Sequence, residues 1–194
     1  MSASPSYPSE PSDPPFIFRR IEHELEVKDA ASTTFGTVDT YEIEALRRCR
    51  FFEHRYTWSG SGVEIPPTVA HPHALHGPLL KSDDSTIFLI AFDRDLVPGE
   101  LETIRFEQRF IDRRAQFRPY LGKAVEYEIA SLRLAVKLPM ALRRNVRPCI
   151  HLASDPPGLM DEPPKYTWDE TGDRYMLTIE NPPIGHRYAI HWID

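Results

Sequence analysis

Three histidines lie close together in the segment AHPHALHG, at His71, His73 and His76. Neutral imidazoles on one short segment can bind a divalent metal together, as a small zinc or iron enzyme would require. Such a site also needs a carboxylate or a fourth ligand, but no Glu follows at the spacing of a cupin-type HxH motif, and Pro72 restrains the segment. Two interpretations stay open, a metal site at these histidines and a solvated loop, and the sequence names no metal.

A serine nucleophile is the second kind of chemistry to consider. Ser59-Gly60-Ser61-Gly62 contains Gly-flanked serines, but no strand-to-helix pattern surrounds them, as a nucleophile elbow requires. A flexible turn is the simpler interpretation. Neither GxxxxGK[ST] nor GxGxxG occurs, so a phosphate-binding glycine loop is not expected. The sequence therefore predicts no catalytic residue.

Closely spaced arginines form two groups. The first contains Arg105, Arg109, Arg113, Arg114 and Arg118, and the second contains Arg143, Arg144 and Arg147. Guanidinium groups match the geometry of phosphate and carboxylate, so these groups could bind an anionic ligand or an acidic partner. The alternative is a solvated strand face on which neighbouring Asp and Glu residues balance the charge.

Aromatic side chains could complete such a ligand site. The predicted ligand-binding residues are Tyr56, Trp58, Arg109, Arg113, Arg114 and Arg118. Amphipathic rings often line binding pockets. The alternative is that the aromatic residues of alternating strands belong to the core, which is their commoner place.

Composition excludes several classes of function. The chain has 194 residues and a formal charge of −6, so it has no overall positive field to attract nucleic acid. No apolar stretch approaches the roughly 20 residues that cross a bilayer, and the first residues lack the pattern of a secretory signal. Two cysteines are too few for a disulfide scaffold, and we expect both to be reduced thiols in the cytoplasm.

The candidate residues have to be positioned by strands. In FIFRRIEHELEVKD, apolar and charged residues alternate and place Ile21, His23, Leu25 and Val27 on one face. This period of two predicts a half-buried strand. Further strands are predicted in TYEIEALRR, FFEHRYTW, LETIRFEQRFID, EYEIASLRLAVKLP, RPCIHLA, KYTWD, RYMLTIENP and HRYAIHWID, with STIFLIAFDR as a central strand. About ten antiparallel strands without a confident helix indicate an all-β sandwich.

The segments between the strands define the predicted boundaries. Gly36 and Asp39 are expected to break the chain before the second strand, and the Pro- and His-bearing stretch 63–77 is expected to be a long connection. Residues 1–15 are rich in Ser, Pro and acidic side chains, which predicts a disordered tail. Residues 16–194 then form a single domain.

Several segments carry a resemblance to a known group of proteins. They are RYTWSGSG at Arg55–Gly62, LVPGE at Leu96–Glu100, RPY at Arg118–Tyr120, LRLAVKLP at Leu132–Pro139 and ENPPIGHRYAIHW at Glu180–Trp192. In these segments the chain resembles the immunoglobulin-like β-sandwich accessory modules of bacterial regulatory and defence-type proteins. The resemblance implies an immunoglobulin-like fold and a binding or regulatory role, and it implies no active site.

The functional prediction is a non-enzymatic protein-binding or regulatory module of a cytosolic bacterial system. Its expected partner is another protein, with no cofactor, no nucleic acid and no membrane. Exposed edge strands offer one means of binding, because a partner chain can add a strand to them. Two alternatives stay open: a small metal-dependent enzyme that uses the three histidines, and a sensor of a small anionic ligand.

Overall fold

A computed structural model describes residues 15–31, 33–57, 60, 62–81, 85–114, 116–152 and 165–192. These residues form thirteen β-strands and one short 3₁₀ helix, Met140–Leu142. The strands are β1 (Phe16–Val27), β2 (Thr34–Ala45), β3 (Cys49–Thr57), β4 (Gly62–Val69), β5 (Ala74–Lys81), β6 (Ser85–Leu96), β7 (Leu101–Asp112), β8 (Tyr120–Ala124), β9 (Ile129–Lys137), β10 (Arg147–Leu152), β11 (Tyr166–Thr171), β12 (Arg174–Glu180) and β13 (His186–His191). The all-β prediction is confirmed. Within the described ranges, no helix has the length and apolar character that crossing a membrane requires.

The strands form three sheets. The large sheet has seven strands in the order β11-β12-β9-β1-β2-β7-β4. Two smaller sheets have the orders β10-β13-β8 and β3-β6-β5. Neighbouring strands are antiparallel except β1 and β9, which run parallel. This parallel pair departs from the expectation of a wholly antiparallel sandwich.

One face of the large sheet forms the core, and the smaller sheets cover it. In β7, residues with even numbers from Ile104 to Asp112 are buried, and the alternate residues are exposed. Phe52 of β3 stacks on Phe16 at 5.4 Å between ring centroids. At the other end, Phe117 contacts both Phe35 of β2 and Trp192, which follows β13. The opposite face of the large sheet, here called the outer face, carries the charged side chains.

Three strands lie where the sequence did not predict them. The structure has β4 and β5 within the stretch expected to be a long connection, and β8 is a further five-residue strand. Pro66 and Pro67 suggested a loop because proline cannot donate to a strand ladder. They are tolerated because β4 is an edge strand whose register shifts between Ile65 and Thr68.

The predicted break at Gly36 and Asp39 is wrong. Both residues lie inside β2, opposite Arg109 and Phe106 of β7. The turn comes earlier, where Asp29 accepts hydrogen bonds from the backbone N–H and the hydroxyl of Thr33. Asp39 thus lies in mid-strand with its side chain in the core.

The boundaries of the domain stay predictions. The tail predicted at residues 1–15 lies outside the described residues except for Pro15, whose carbonyl accepts a hydrogen bond from the N–H of Leu46 at 2.8 Å. The three sheets share one cluster of buried side chains that contains Ile43, Phe52 and Tyr188. This shared cluster is what the proposal of a single domain over residues 16–194 requires.

Candidate functional site

The three predicted metal-binding histidines lie in and beside β5. His71 and His76 are exposed, whereas His73 is buried with its ring 5.6 Å from that of Phe92. Nε2–H of His73 donates to the carbonyl of Thr103 at 3.1 Å. In the described part of the chain, their ligand atoms do not form a group within 4.8 Å of one another. Metal binding by this segment stays a prediction.

The predicted anion site is divided between two faces of the large sheet. Arg109 is exposed on the outer face of β7, and Arg113, Arg114 and Arg118 are exposed after that strand. Tyr56 is half-buried on the core side, where Gln108 donates a hydrogen bond to its hydroxyl at 2.9 Å. Trp58 lies outside the described residues. A pocket containing both Tyr56 and Arg109 would have to cross the sheet, and ligand binding by these residues stays a prediction.

The outer face of the large sheet has a shallow depression whose charges are paired. Its lining includes Glu22, Glu24, Arg105, Arg133 and Arg174. Arg133 contacts Glu22 at 2.8 Å, and Arg174 contacts Glu24 at 2.6 Å. The guanidinium of Arg105 contacts the neighbouring Glu107 at 3.0 Å. These pairs offset one another, so the depression offers an anion little uncompensated positive charge.

A connected set of polar side chains lies between the large sheet and β3, and its members are buried except for His23, whose side chain is 21% exposed. Asp39 is only 2% exposed, and its carboxylate contacts Nδ1 of His23. Nε2 of His54 lies 3.5 Å from the other carboxylate oxygen, and Nδ1 of His54 lies 3.0 Å from the hydroxyl of Tyr41. If Tyr41 donates to His54, Nε2–H of His54 faces the carboxylate. We call these four residues the Asp39 network.

Burial sets the protonation of the Asp39 network. Together with the positive charge of Lys123 on β8, it lowers the pKa of His23 and of His54 to about 3. Burial also raises the pKa of the Tyr41 hydroxyl above its ordinary value. Both imidazoles are therefore neutral at physiological pH. His54 packs against the ring of Phe106, so this end of the network is enclosed in the core.

The sequence carried part of the signal for this network. The alternation of β1 placed His23 on the apolar face, and that of β3 placed His54 on the same face as Phe52 and Tyr56. A histidine at a core position needs a polar partner. The partner, Asp39, was missed because Gly and Asp are typical of turns, so Gly36 and Asp39 together predicted a break in the chain.

A further group of metal-ligating side chains lies on the β10-β13-β8 sheet. The ligand atoms of Cys149, His151 and His191 all lie within 4.8 Å of one another. Both cysteines of the chain, Cys49 and Cys149, are free thiols. Burial raises the pKa of the Cys149 thiol, and it lowers the pKa of His191 with help from His151 and Arg147. We call this group the Cys149 cluster.

Strand pairing brings the Cys149 cluster together. Cys149 and His151 are two residues apart on β10 and so share one face, while His191 lies diagonally across on β13. The sequence predicted both strands and left open which residues of β13 face the core. Tyr188, Ile190 and Trp192 are buried, which turns His191 outward. Without the register of β10 against β13, the sequence could not place His191 beside Cys149.

Comparison with known proteins gives a likeness of fold. No protein-family model and no curated protein matches the chain. Among solved structures, a putative protease from Parabacteroides distasonis superimposes with a TM-score of 0.52 and 8% identity over 91% of this chain. An M1 zinc metallopeptidase from Deinococcus radiodurans gives a TM-score of 0.47 and 10% identity, also over 91% of this chain. The chain spans 40% and 42% of the length of these two proteins. The match to the putative protease supports the all-β architecture alone, and the likeness to immunoglobulin-like accessory modules stays a prediction.

Proposed function

We propose that this chain is a non-catalytic binding module that holds an extended segment of another protein along the edge strand β11, within a bacterial cytosolic system. The observation that carries the proposal is the regularity of this edge. β11 pairs with β12 without a register shift, from Tyr166 opposite Ile179 to Thr171 opposite Arg174. Among the described strands, none pairs with the other side of β11. An exposed edge of this kind can accept a further strand.

Most other edges of the three sheets carry features that hinder strand addition. β4 contains Pro66 and Pro67 together with a register shift, and β10 contains Pro148. The registers of β3 and β5 are also interrupted. β8 is regular but has only five residues. Proline and irregular pairing are usual protections of edge strands, and β11, which has six residues, contains neither.

The side chains of β11 indicate the chemistry of the bound segment. Tyr166, 45% exposed, and Trp168 lie on the core side, opposite Ile179 and Leu177. The alternate side chains, including Asp169, are exposed on the outer face. A complementary strand would place apolar residues beside Tyr166 and Trp168 and polar or basic residues beside Asp169. Burying the exposed part of these rings supplies binding free energy.

The fold likeness is compatible with this proposal. The putative protease has this architecture over 40% of its chain, so the fold occurs there joined to other polypeptide. A binding module likewise acts next to other polypeptide, because its role is to hold a segment of a second protein. The cytosolic part of the proposal is supported by the two free thiols.

Affinity capture from a bacterial cytosolic extract tests the proposal. The wild-type chain should retain a partner at stoichiometric level, and the double substitution Thr167→Lys and Thr171→Lys should reduce capture at least tenfold, because lysines on an edge oppose strand addition. Thr57→Lys, on the edge strand β3 of another sheet, is the matched control and should capture as the wild type does.

Hydrogen exchange on the captured complex gives the second readout. Those amides of Tyr166–Thr171 that do not donate to β12 should become protected, because they point outward and donate to the added strand. A wild-type chain that captures no protein would overturn the proposal. Equal capture by the double variant, without protection of β11, would overturn the assignment to this edge.

A further inference from the structure

The Cys149 cluster has the donors of a transition-metal site. It offers one thiol sulfur and two imidazole nitrogens, all within 4.8 Å of one another. A tetrahedral ion bound at about 2.0–2.3 Å places its nitrogen and sulfur ligands about 3.3–3.6 Å apart. Closing the cluster on an ion therefore requires side-chain movements of about 1 Å, which rotation about χ angles supplies without moving the strands.

The donor set selects the class of ion. Mg²⁺ and Ca²⁺ bind through carboxylate and carbonyl oxygen, and the cluster contains no carboxylate. The residues opposite His191 and His151 in the β10-β13 register are Arg147 and Arg187, which supply no metal-binding oxygen. Thiolate and imidazole are the ligands of Zn²⁺ in proteins.

The surrounding sheet orients one of the ligands. The ring of Tyr120 on β8 stacks on His191 with 5.5 Å between centroids and 20° between planes. Tyr120 also lies over Gly122, where an added Cβ would be 3.4 Å from the tyrosine ring. Glycine at this position thus leaves room for the ring that holds His191 in place.

We propose that the Cys149 cluster binds one Zn²⁺ ion through the sulfur of Cys149 and one ring nitrogen each of His151 and His191. Zn²⁺ is usually tetrahedral in proteins, so three protein ligands leave its fourth position to water. The site lies on the β10-β13-β8 sheet, whereas the proposed partner-binding edge belongs to the large sheet. The two proposals therefore stand or fall separately.

The experiment uses the full chain, purified without a histidine tag and stripped with a chelator. Dialysis against Zn²⁺ followed by elemental analysis should give about one Zn²⁺ per chain. Co²⁺ in place of Zn²⁺ should give tetrahedral absorption bands and a thiolate-to-cobalt charge-transfer band. Competition with a chromophoric chelator measures the affinity of the wild type and of each variant.

Substitutions assign the ligands. Cys149→Ser should abolish the charge-transfer band, and both Cys149→Ser and His151→Asn should weaken Zn²⁺ binding by more than about 100-fold, since loss of outer-shell partners alone costs 10–100-fold. His151 is exposed, so His151→Asn is compatible with an intact fold, which circular dichroism checks. Tyr120→Leu should weaken binding less than either variant.

The double variant His71→Asn and His76→Asn is the matched control, because it removes two exposed histidines outside the cluster. It should keep full Zn²⁺ content and the same cobalt spectrum. Absence of stoichiometric Zn²⁺ from the wild type would overturn the proposal. Loss of Zn²⁺ from this control, with full binding by Cys149→Ser, would overturn it in favour of the histidine segment.

Discussion

Asp39 shows how a carboxylate is accommodated in the core of this protein. A buried carboxylate is costly unless hydrogen bonds compensate for lost water. Here His23 contacts one oxygen and Nε2 of His54 lies 3.5 Å from the other, while Tyr41 adjoins the second imidazole. The two imidazoles that face the carboxylate come from β1 and β3, so strand pairing and sheet packing bring them to Asp39.

The Asp39 network makes stability depend on pH. Unfolding releases His54 from burial, which raises its pKa from about 3 to about 6.5. Between these values the unfolded chain binds more protons than the folded one, so the free energy of unfolding should fall as pH is lowered from about 6.5 towards 3. His54→Asn should reduce the slope of the free energy of unfolding against pH by up to about 1.4 kcal/mol per pH unit. Urea unfolding at several pH values measures this slope.

His71→Asn is the control for this measurement, because this exposed histidine lies outside the network. Its slope should equal that of the wild type. The slope, rather than the absolute stability, is decisive, because His54→Asn also changes packing against Phe106. An unchanged slope in His54→Asn would contradict the assignment of a neutral, buried imidazole.

At the scale of elements, the β11-β12 hairpin depends on a left-handed residue. Gly172 has φ +62° and no neighbouring atom within 4 Å of an added Cβ. Gly172→Ala should therefore cost about 1 kcal/mol through backbone conformation alone, and Gly172→Asn should cost less, because Asn tolerates this region better. Midpoints of urea unfolding at unchanged m-value measure both costs.

Gly36→Ala provides the contrast within β2. Gly36 does not have a left-handed φ, and its added Cβ would meet only the flexible end of Lys28 at 3.3 Å. Alanine restricts the unfolded chain, so this substitution should be neutral or slightly stabilising. An equal loss of stability in Gly36→Ala and Gly172→Ala would show that the left-handed conformation of Gly172 is not the cause of the loss.

The alternation of apolar and polar residues predicted the half-buried strands well, but it did not predict the edge strand β4 or the short strand β8. β1, β7 and β12 carry a period of two strong enough to identify from the sequence. β4 contains two prolines and a register shift, which interrupt its alternation of side chains. Such an interruption is tolerated because β4 is an edge strand. β8 has five residues and is stabilised by pairing with β13, a partner more than 60 residues away. The Cys149 cluster was hidden for the same reason, because β10 and β13 meet only in the fold.

At the scale of the molecule, the three sheets share one core. Buried residues of the large sheet, of β3 and β6, and of β13 belong to one continuous cluster. We therefore expect one cooperative unfolding transition in calorimetry, with equal calorimetric and van't Hoff enthalpies. Two separated transitions would contradict a single domain over residues 16–194.

The parallel pairing of β1 with β9 also bears on how the chain is made. β1 comes first among the described strands but lies inside the large sheet, and the pair of Glu22 with Arg133 joins residues 111 positions apart. A ribosome that adds about 5–20 residues per second needs on the order of ten seconds to make the intervening chain. During that interval one side of β1 has no partner. The centre of the finished sheet is therefore, in the nascent chain, an open edge exposed to pairing with a wrong strand.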